Sequence, residues 1–312
     1  MSVYPVAAGV RNIGASTMKY IPVVYSGKML VKFYSNTCFR DISNGDYEGE
    51  IKNQGDTVEI RSLPDITINT HNKGQTLDYE QPEATPVTLY INKGKSWSFA
   101  TNYVDDGQTD IKDYADQWSD VAAKQLQIAV DQDVLQNIYS DVNSSNAGTT
   151  AGAITSGINL GGTSANSLGL TKADVLDKIV ECGQCLDEQN VPEEGRWMVV
   201  PAWFCTLVLT SDLKDASLSG DGTSIIRNGR LGMIDTFTLY KSNNLSTASD
   251  GSNTFTRILF GTKHATTFAA QIVKNENLVN PNAFGTLFRG LMVYGYKVVK
   301  SEALGLLRAY KG

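Results

Sequence analysis

The densest chemical signal in the chain is Cys182-Gly-Gln-Cys185. A C-x-x-C pair is half of a tetrahedral zinc site, or a redox dithiol. Structural zinc wants four ligands, and the remaining Cys38, Cys205, His71 and His264 are scattered. A reactive dithiol opens a helix, where the dipole favours the thiolate; this pair falls in the middle of a helical pattern. The two cysteines therefore read as packed helix-face residues. Two histidines in 312 residues leave little material for a Ser-His-Asp or Cys-His site, and neither lies near a G-x-S-x-G turn. Asp105, Asp106, Asp110, Asp113 and Asp116 crowd as calcium ligands do. They lack the loop spacing and closing glutamate of a calcium loop, and read as a solvated face and a helix cap. No phosphate-binding glycine loop and no dinucleotide fingerprint follows a strand. No catalytic, cofactor-binding or metal-binding residue is expected, and no cofactor.

The element that organises the chain begins among those aspartates. From Asp110 to Asp141 there is no Gly or Pro, and Ile111, Tyr114, Trp118, Val121, Ile128, Leu135 and Ile138 follow three-then-four spacing. A second stripe, Ala115, Ala122, Leu126, Ala129, Val130 and Val134, widens the apolar arc, so the helix is expected to pack on two sides. At 1.5 Å per residue it would run roughly 45 Å, a strut suited to a flat or elongated molecule.

Composition narrows what such a strut belongs to. The chain has 41% hydrophobic residues, enough for a sizeable core, and a net charge of -6, which argues against a surface built to grip nucleic acid. No apolar run approaches membrane-spanning length, and the opening MSVYPVAAGV lacks the blocks of a signal peptide. A soluble protein made in a cytoplasm, with reduced thiols and no membrane partner, is expected.

Residues 1–45 read as an arm: Ile21, Val23, Val24 and Tyr25 form short clusters between Gly14, Pro22 and Gly27. Period-two alternation then predicts strands around Val58 and Ile60 and around Ile66 and Ile68, a tip at His71 to Gln75, a return strand Val87 to Ile91, and a turn at Asn92 to Gly94. So long a polar hairpin is marginal alone in water. Asn143 to Gly169 is a low-complexity loop or weak hairpin. A helix follows over Lys172 to Gln189 behind a Thr171–Asp174 capping box, then a buried strand Arg196 to Val200, and a short helix opened by Pro201. Gly220 to Gly232 is loop-like. Strands are expected at Met233 to Tyr240, Arg257 to Phe260 and Leu287 to Val299, with a helical or extended piece at Thr266 to Ile272 and a tail at Leu304 to Tyr310. The aromatics Trp97, Phe99, Trp118, Trp197 and Trp203 read as core or subunit-interface residues.

In this order the pieces VTLYINKGKSWSF, VDDGQTDIKDY, the long helix with Asp131-Gln132-Asp133-Val134-Leu135, RWMVVP, GRLGMIDTFTLYKSNNL and FRGLMVYGYKVVKSEALG carry a resemblance. Over most of its length the sequence resembles the major capsid proteins of tailed bacteriophages, the Hong Kong 97 type of α+β fold. The resemblance implies an N-terminal arm (1–45), an extended β-hairpin loop reaching over a neighbour (46–96), a peripheral domain (97–164) with its spine helix at 110–141, an axial domain (165–275), and closing strands (276–312). It implies a shell-forming structural protein, not an enzyme. Its copies would assemble as pentamers and hexamers of an icosahedral virion capsid in the host cytoplasm, around double-stranded DNA bound without sequence specificity. A separate scaffolding protein, a portal and a decoration protein are the implied partners. Some members join a lysine of the extended loop to an asparagine of a neighbour. The candidates here are Lys73, Lys93 or Lys95 with Asn280 or Asn282, and Glu80 or Glu83 as the proton-shuttling carboxylate. Lysines at polar turns should stay solvated and charged, so no cross-link is expected. An encapsulin-type compartment around a protein cargo and a soluble enzyme with an unrecognised site are the alternative readings.

Overall fold

In chain order the elements are α1 (Phe39–Ile42), β1 (Thr57–Arg61), β2 (Pro86–Tyr90), β3 (Lys93–Asn102), α2 (Tyr114–Leu135), β4 (Leu168–Leu170), α3 (Asp174–Glu188), β5 (Arg196–Val200), α4 (Ala202–Thr210), β6 (Met233–Ile234), β7 (Phe237–Lys241), β8 (Thr247–Ser249), β9 (Thr254–Thr262), β10 (Thr266–Val279), β11 (Gly285–Val298) and β12 (Leu304–Lys311). The computed structural model describes residues 37–45, 57–61, 64, 66–76, 79–83, 86–104, 114–163, 166–211 and 233–312. Most of the expected arm (1–36), the aspartates Asp105, Asp106, Asp110 and Asp113, and the loop from Gly220 to Gly232 lie outside the described residues.

The body of the molecule is a seven-stranded mixed sheet, ordered β4-β12-β9-β5-β7-β6 with β8 on β9. Its centre is β5, where all five residues of RWMVV are buried. A strand with neighbours on both edges and cover on both faces must be apolar or have its polar groups satisfied: Trp197 to Val200 are apolar, and the buried Arg196 guanidinium donates to the Pro192 and Val191 carbonyls and to Asp187. Val175, Ile179, Cys182, Cys185 and Leu186 form the buried stripe of α3, and Phe204, Cys205, Leu207 and Val208 that of α4. Phe260 and Gly305 sit opposite each other in the β9–β12 register, and a Cβ on Gly305 would strike the Phe260 ring, so the glycine is what admits the aromatic there.

A second sheet, β10-β11-β3, is antiparallel, with a register shift between Ile272 and Lys274. Its strands are long because three runs of alternating residues pair along nearly their whole length. The helix α2 crosses β3, and its buried Val130, Val134 and Leu135, followed by Ile138, join the same core as the seven-stranded sheet. Among the described residues the third sheet pairs β1 with β2, in the register Thr57↔Tyr90 to Arg61↔Pro86. Its small core, Ile60, Leu89 and Ile91 against Ala269, is separate from the main one.

Several expectations differ from the structure. The long helix stops at Leu135, and Ile138–Asp141 forms a 3₁₀ turn because the chain must bend toward the buried segment that follows. Two-sided packing holds for its last turns alone; Trp118 and Val121 are exposed. Ile66 and Ile68 lie outside any strand, in an extended loop, because no neighbouring strand offers them hydrogen bonds. The turn at Asn92 to Gly94 is instead a change of sheet at Ile91–Asn92, with Lys93 and Gly94 already in β3. Met233 to Tyr240 is two strands, β6 and β7, folded at Asp235, whose φ is 54°. Thr266 to Ile272 is strand, the first half of β10. The low-complexity stretch is largely structural: Asn146, Ala151, Ile158 and Leu160 are buried, and Asn146 donates to the carbonyls of Glu302 and Leu304 at 2.5 and 3.1 Å.

Candidate functional site

The C-x-x-C thiols point into the core, both fully buried between α3 and the seven-stranded sheet. Burial, with the neighbouring Cys185, pushes Cys182 well above an ordinary thiol, and burial raises Cys185 to about 12. Neither is a nucleophile at neutral pH. His71 is exposed in the loop ahead of the Lys73–Gly74 turn, and His264 is exposed in the turn between β9 and β10. Asp116 is exposed near the described start of α2. Among the described residues, no three His, Cys, Asp or Glu side chains gather as metal ligands. Lys73 and Lys95 are exposed and Asn280 and Asn282 sit together in the β10–β11 turn, where Asn280 Oδ1 accepts from the Asn282 amide at 3.0 Å. Glu80 accepts from the Thr67 amide within the loop.

Lys93 corrects the expectation of a solvated lysine. Its Nζ lies 2.8 Å from Asp133 Oδ2 and 2.6 Å from Tyr296 Oη. Burial acts against its charge, but those two hydrogen bonds outweigh it and hold its pKa above the ordinary lysine value. Asp133 Oδ2 also accepts from the Tyr294 hydroxyl at 2.9 Å, and burial together with that carboxylate raises the Tyr294 pKa. The cluster ties the end of α2 to the start of β3 just where the chain leaves the hairpin. A Cβ on Gly295 would strike the Tyr90 carbonyl, so a bare glycine lets the hairpin root lie against β11.

Asp131, two residues before, carries a second junction. Its Oδ1 accepts from the amides of Cys38 at 3.0 Å and Phe39 at 2.9 Å, and its Oδ2 from Asn244 Nδ2 at 2.6 Å. One buried carboxylate thus satisfies the free amides at the start of α1 and fastens it to α2 and to the loop after β7. Burial, followed by the charge of Asp131, raises the neighbouring Cys38 thiol to about 12.

The remaining features are surfaces. The loop beyond β1 and β2 holds Ile68 at 90% and Tyr79 at 91% exposure, with no core beneath them among the described residues. Its tip turns at Gly74 (φ 89°), closed by the Gln75 amide on the Asn72 carbonyl. On the second sheet, Trp97, Phe99 and Phe288 stack, with centroids 5.7 and 5.0 Å apart, and Trp118 of α2 meets Phe99 edge-on at 5.6 Å. Between α1, α2 and this sheet lies an open groove of about 740 Å³.

No protein-family model and no curated protein matches the sequence. Solved structures match it nearly end to end. A chain from the structure of Mycobacterium phage Che8 superposes with a TM-score of 0.72 at 24% identity, covering 94% of this chain and 98% of that one. The capsid structure of the cyanophage P-SCSP1u gives 0.67 at 18% identity, covering 97% of each chain. The mature capsid of bacteriophage PhiM1 gives 0.64 at 14%, covering 93% and 92%. The fold is that of tailed-phage major capsid proteins.

Within this capsid fold the Asp131 junction is what reading the sequence missed. Its signal was present: position 131 lies three and four residues before the buried Val134 and Leu135, so a carboxylate there must face the core and must be satisfied. The partners could not be read, because Cys38 and Asn244 are distant in sequence and only the fold brings them together.

Proposed function

We propose that this chain is a major capsid protein that self-assembles into the pentamers and hexamers of an icosahedral shell enclosing double-stranded DNA. The observation that carries the reading is the match of almost the whole chain to solved capsid structures. Its exposed apolar loop supports it, because Ile66, Ile68 and Tyr79 are left uncovered by the described residues of their own chain. In this reading residues 1–45 are the arm and 46–96 the extended loop that lies on a neighbour. The three-stranded sheet with α2 forms the peripheral part, and the seven-stranded sheet forms the axial part around the ring axes. The location is the virion, with assembly in the host cytoplasm, and the other partners are a scaffolding protein, a portal and a decoration protein. The net charge of -6 suits an inner wall along which packaged DNA slides.

The test is negative-stain microscopy of the expressed chain, alone and with the scaffolding protein encoded beside it. Closed shells or rings are expected; monomers under every condition would remove the reading. Subunits are held without covalent bonds, since Lys93 is engaged by Asp133 of its own chain and Lys73 and Lys95 are solvated. Boiled particles should run as one band near 33.9 kDa on a denaturing gel, and a ladder of multiples would refute this.

A further inference from the structure

We propose that Arg257 and Arg308 form a binding site for a small tetrahedral oxyanion of the phosphate class, on the face of the seven-stranded sheet where Tyr139 packs. This goes beyond the capsid reading and does not depend on it. The two arginines are directly opposite each other in the β9–β12 register, so their side chains leave the same face. Their backbone amides donate outward, to the Ser246 and Leu160 carbonyls, which makes them a non-hydrogen-bonded pair, the kind whose side chains lie closer together. Both are half-buried. Like charges placed directly across a strand pair repel, and buried charges are ordinarily paired. Elsewhere the chain follows that rule: Arg196 meets Asp187 and Arg289 meets Glu276. Among the described residues no carboxylate pairs with Arg257 or Arg308.

The contacts that hold the two heads also set the class of ligand. Arg257 Nη1 donates to Ser246 Oγ at 2.8 Å, and its guanidinium lies over the Tyr139 ring, 4.1 Å from the centroid. Arg308 Nη1 donates to the Gly161 carbonyl at 3.1 Å. Ser246 leads into β8, on the edge of β9 away from β12, and Gly161 follows Leu160 along the edge of β12 away from β9. The forks are thus drawn to opposite flanks of the strand pair, and their remaining N–H donors have no acceptor among the described residues. Arg308 Nε is one of these and is buried as well; a buried donor without an acceptor marks a place that an ion or water completes. Burial, then the charge of Arg257, lowers the Arg308 pKa, but a guanidinium stays charged at any ordinary pH. A carboxylate presents its oxygens in one plane, which suits a single fork. Two forks held apart suit a tetrahedral anion, whose oxygens point in separate directions and whose charge of about -2 offsets both.

Titration calorimetry of inorganic phosphate into the full-length chain, at constant ionic strength in chloride, tests the site. Saturable binding of one anion per chain is expected. Arg308→Met and Arg257→Met keep the aliphatic packing and lose the charge, and each should weaken binding about tenfold, as the loss of a charged hydrogen-bond partner does. Arg289→Met, on the other sheet, should leave binding unchanged. Urea unfolding gives a second readout whose sign reverses. Without phosphate Arg308→Met should unfold no earlier than the wild type, because the repulsion is gone, and with saturating phosphate it should unfold earlier. Equal binding by the wild type and both arginine variants would mean an adventitious ion only and would overturn the site. So would stabilisation by phosphate that never saturates and is the same in every variant, which is exclusion of the salt from the surface. A short DNA duplex that displaces phosphate at equal phosphate concentration, with the same dependence on Arg308, would place the phosphate on nucleic acid and overturn the free anion. No phosphate binding by the wild type would also overturn it, and loss of assembly in Arg308→Met would then give the pair to a carboxylate of a neighbouring copy.

Discussion

The seven-stranded body and the face formed by the hairpin, its loop and the first turns of α2 have similar apolar residues and opposite fates. In the body Phe260, Ile258, Met198 and Leu306 reach zero exposure against partners from their own chain. On the other face Ile66, Ile68, Tyr79, Trp118 and Val121 stay in water. Propensity does not separate the two regions, since both carry alternating or three-four patterns; the presence of a second layer does. The body buries its core against its own strands and helices. On the face the same kinds of residue are left exposed by the described parts of the chain, and large exposed apolar patches are in general a mark of interaction surfaces.

The sharpest way to break this comparison is to truncate one residue of each kind. Phe260→Ala should cost about 3–5 kcal/mol of subunit stability, since it empties a fully buried ring site over Gly305. Ile68→Ser should change it by less than about 0.5 kcal/mol, as exposed substitutions do, yet should lower the yield of assembled particles. Urea unfolding of the free subunit measures the first and particle counts the second. Comparable losses of stability from both would show that the loop has a core of its own.

Next in size is the Asp131 junction, which belongs to the body by burial and fastens the start of α1 to α2. Asp131→Ala leaves the Cys38 and Phe39 amides and the Asn244 amide without their acceptor and should cost about 2–4 kcal/mol. Asp131→Asn keeps an oxygen for the two backbone amides and should recover about half of that. Equal unfolding midpoints for wild type and Asp131→Ala would show that water replaces the carboxylate and that the junction holds nothing.

What the sequence made legible follows the same division. The buried strand Arg196 to Val200, the Cys182 and Cys185 face of α3 and the helix opened by Pro201 were readable because each is decided by local apolar content. The strand expected at Ile66 and Ile68 was not there, since alternation predicts a strand only when a neighbour supplies the other half of the ladder. Lys93 read as solvated from the Gly94 beside it, whereas the fold brings Tyr296 and Asp133 onto it from far along the chain. The stretch from Asn143 to Gly169 looked like a spacer because small residues carry little pattern, yet its backbone pairs with the body, Ala147 with Leu306, and with itself, Ala151 with Ile158. Sequence patterns report what each residue prefers to face, and the junctions depend on which distant residue arrives.

A smaller effect is expected inside the body at the paired thiols. Cys182→Ser with Cys185→Ser places two hydroxyls in an apolar site, partly relieved because a helical serine can donate to the carbonyl four residues before. A loss of about 1–3 kcal/mol is expected, with assembly retained. Elemental analysis that finds zinc in the wild type and none in the variant, together with unfolding, would show that the C-x-x-C binds metal.

The smallest effect lies at the edge of the body, where Glu188 holds the bend after Ala151. Its carboxylate accepts from the Thr155 hydroxyl, from the amides of Thr155 at 3.0 Å and Ile154 at 2.8 Å, and from Gln184. The Thr155 hydroxyl, then the two amides, lower its pKa from 4.5 to about 2. A group depressed on folding contributes stability above its unfolded pKa and loses it as pH falls through the folded one. The bend should therefore keep full protection at neutral pH and lose it between about pH 4.5 and pH 2. Because the carboxylate is solvent-exposed, the effect is local, read by hydrogen exchange at Ile154 and Thr155 and not by the global unfolding midpoint. Glu188→Gln should expose those two amides at neutral pH and abolish the acid dependence. If exchange there, normalised to the intrinsic rate at each pH, shows constant protection down to pH 2, the carboxylate does not hold the bend.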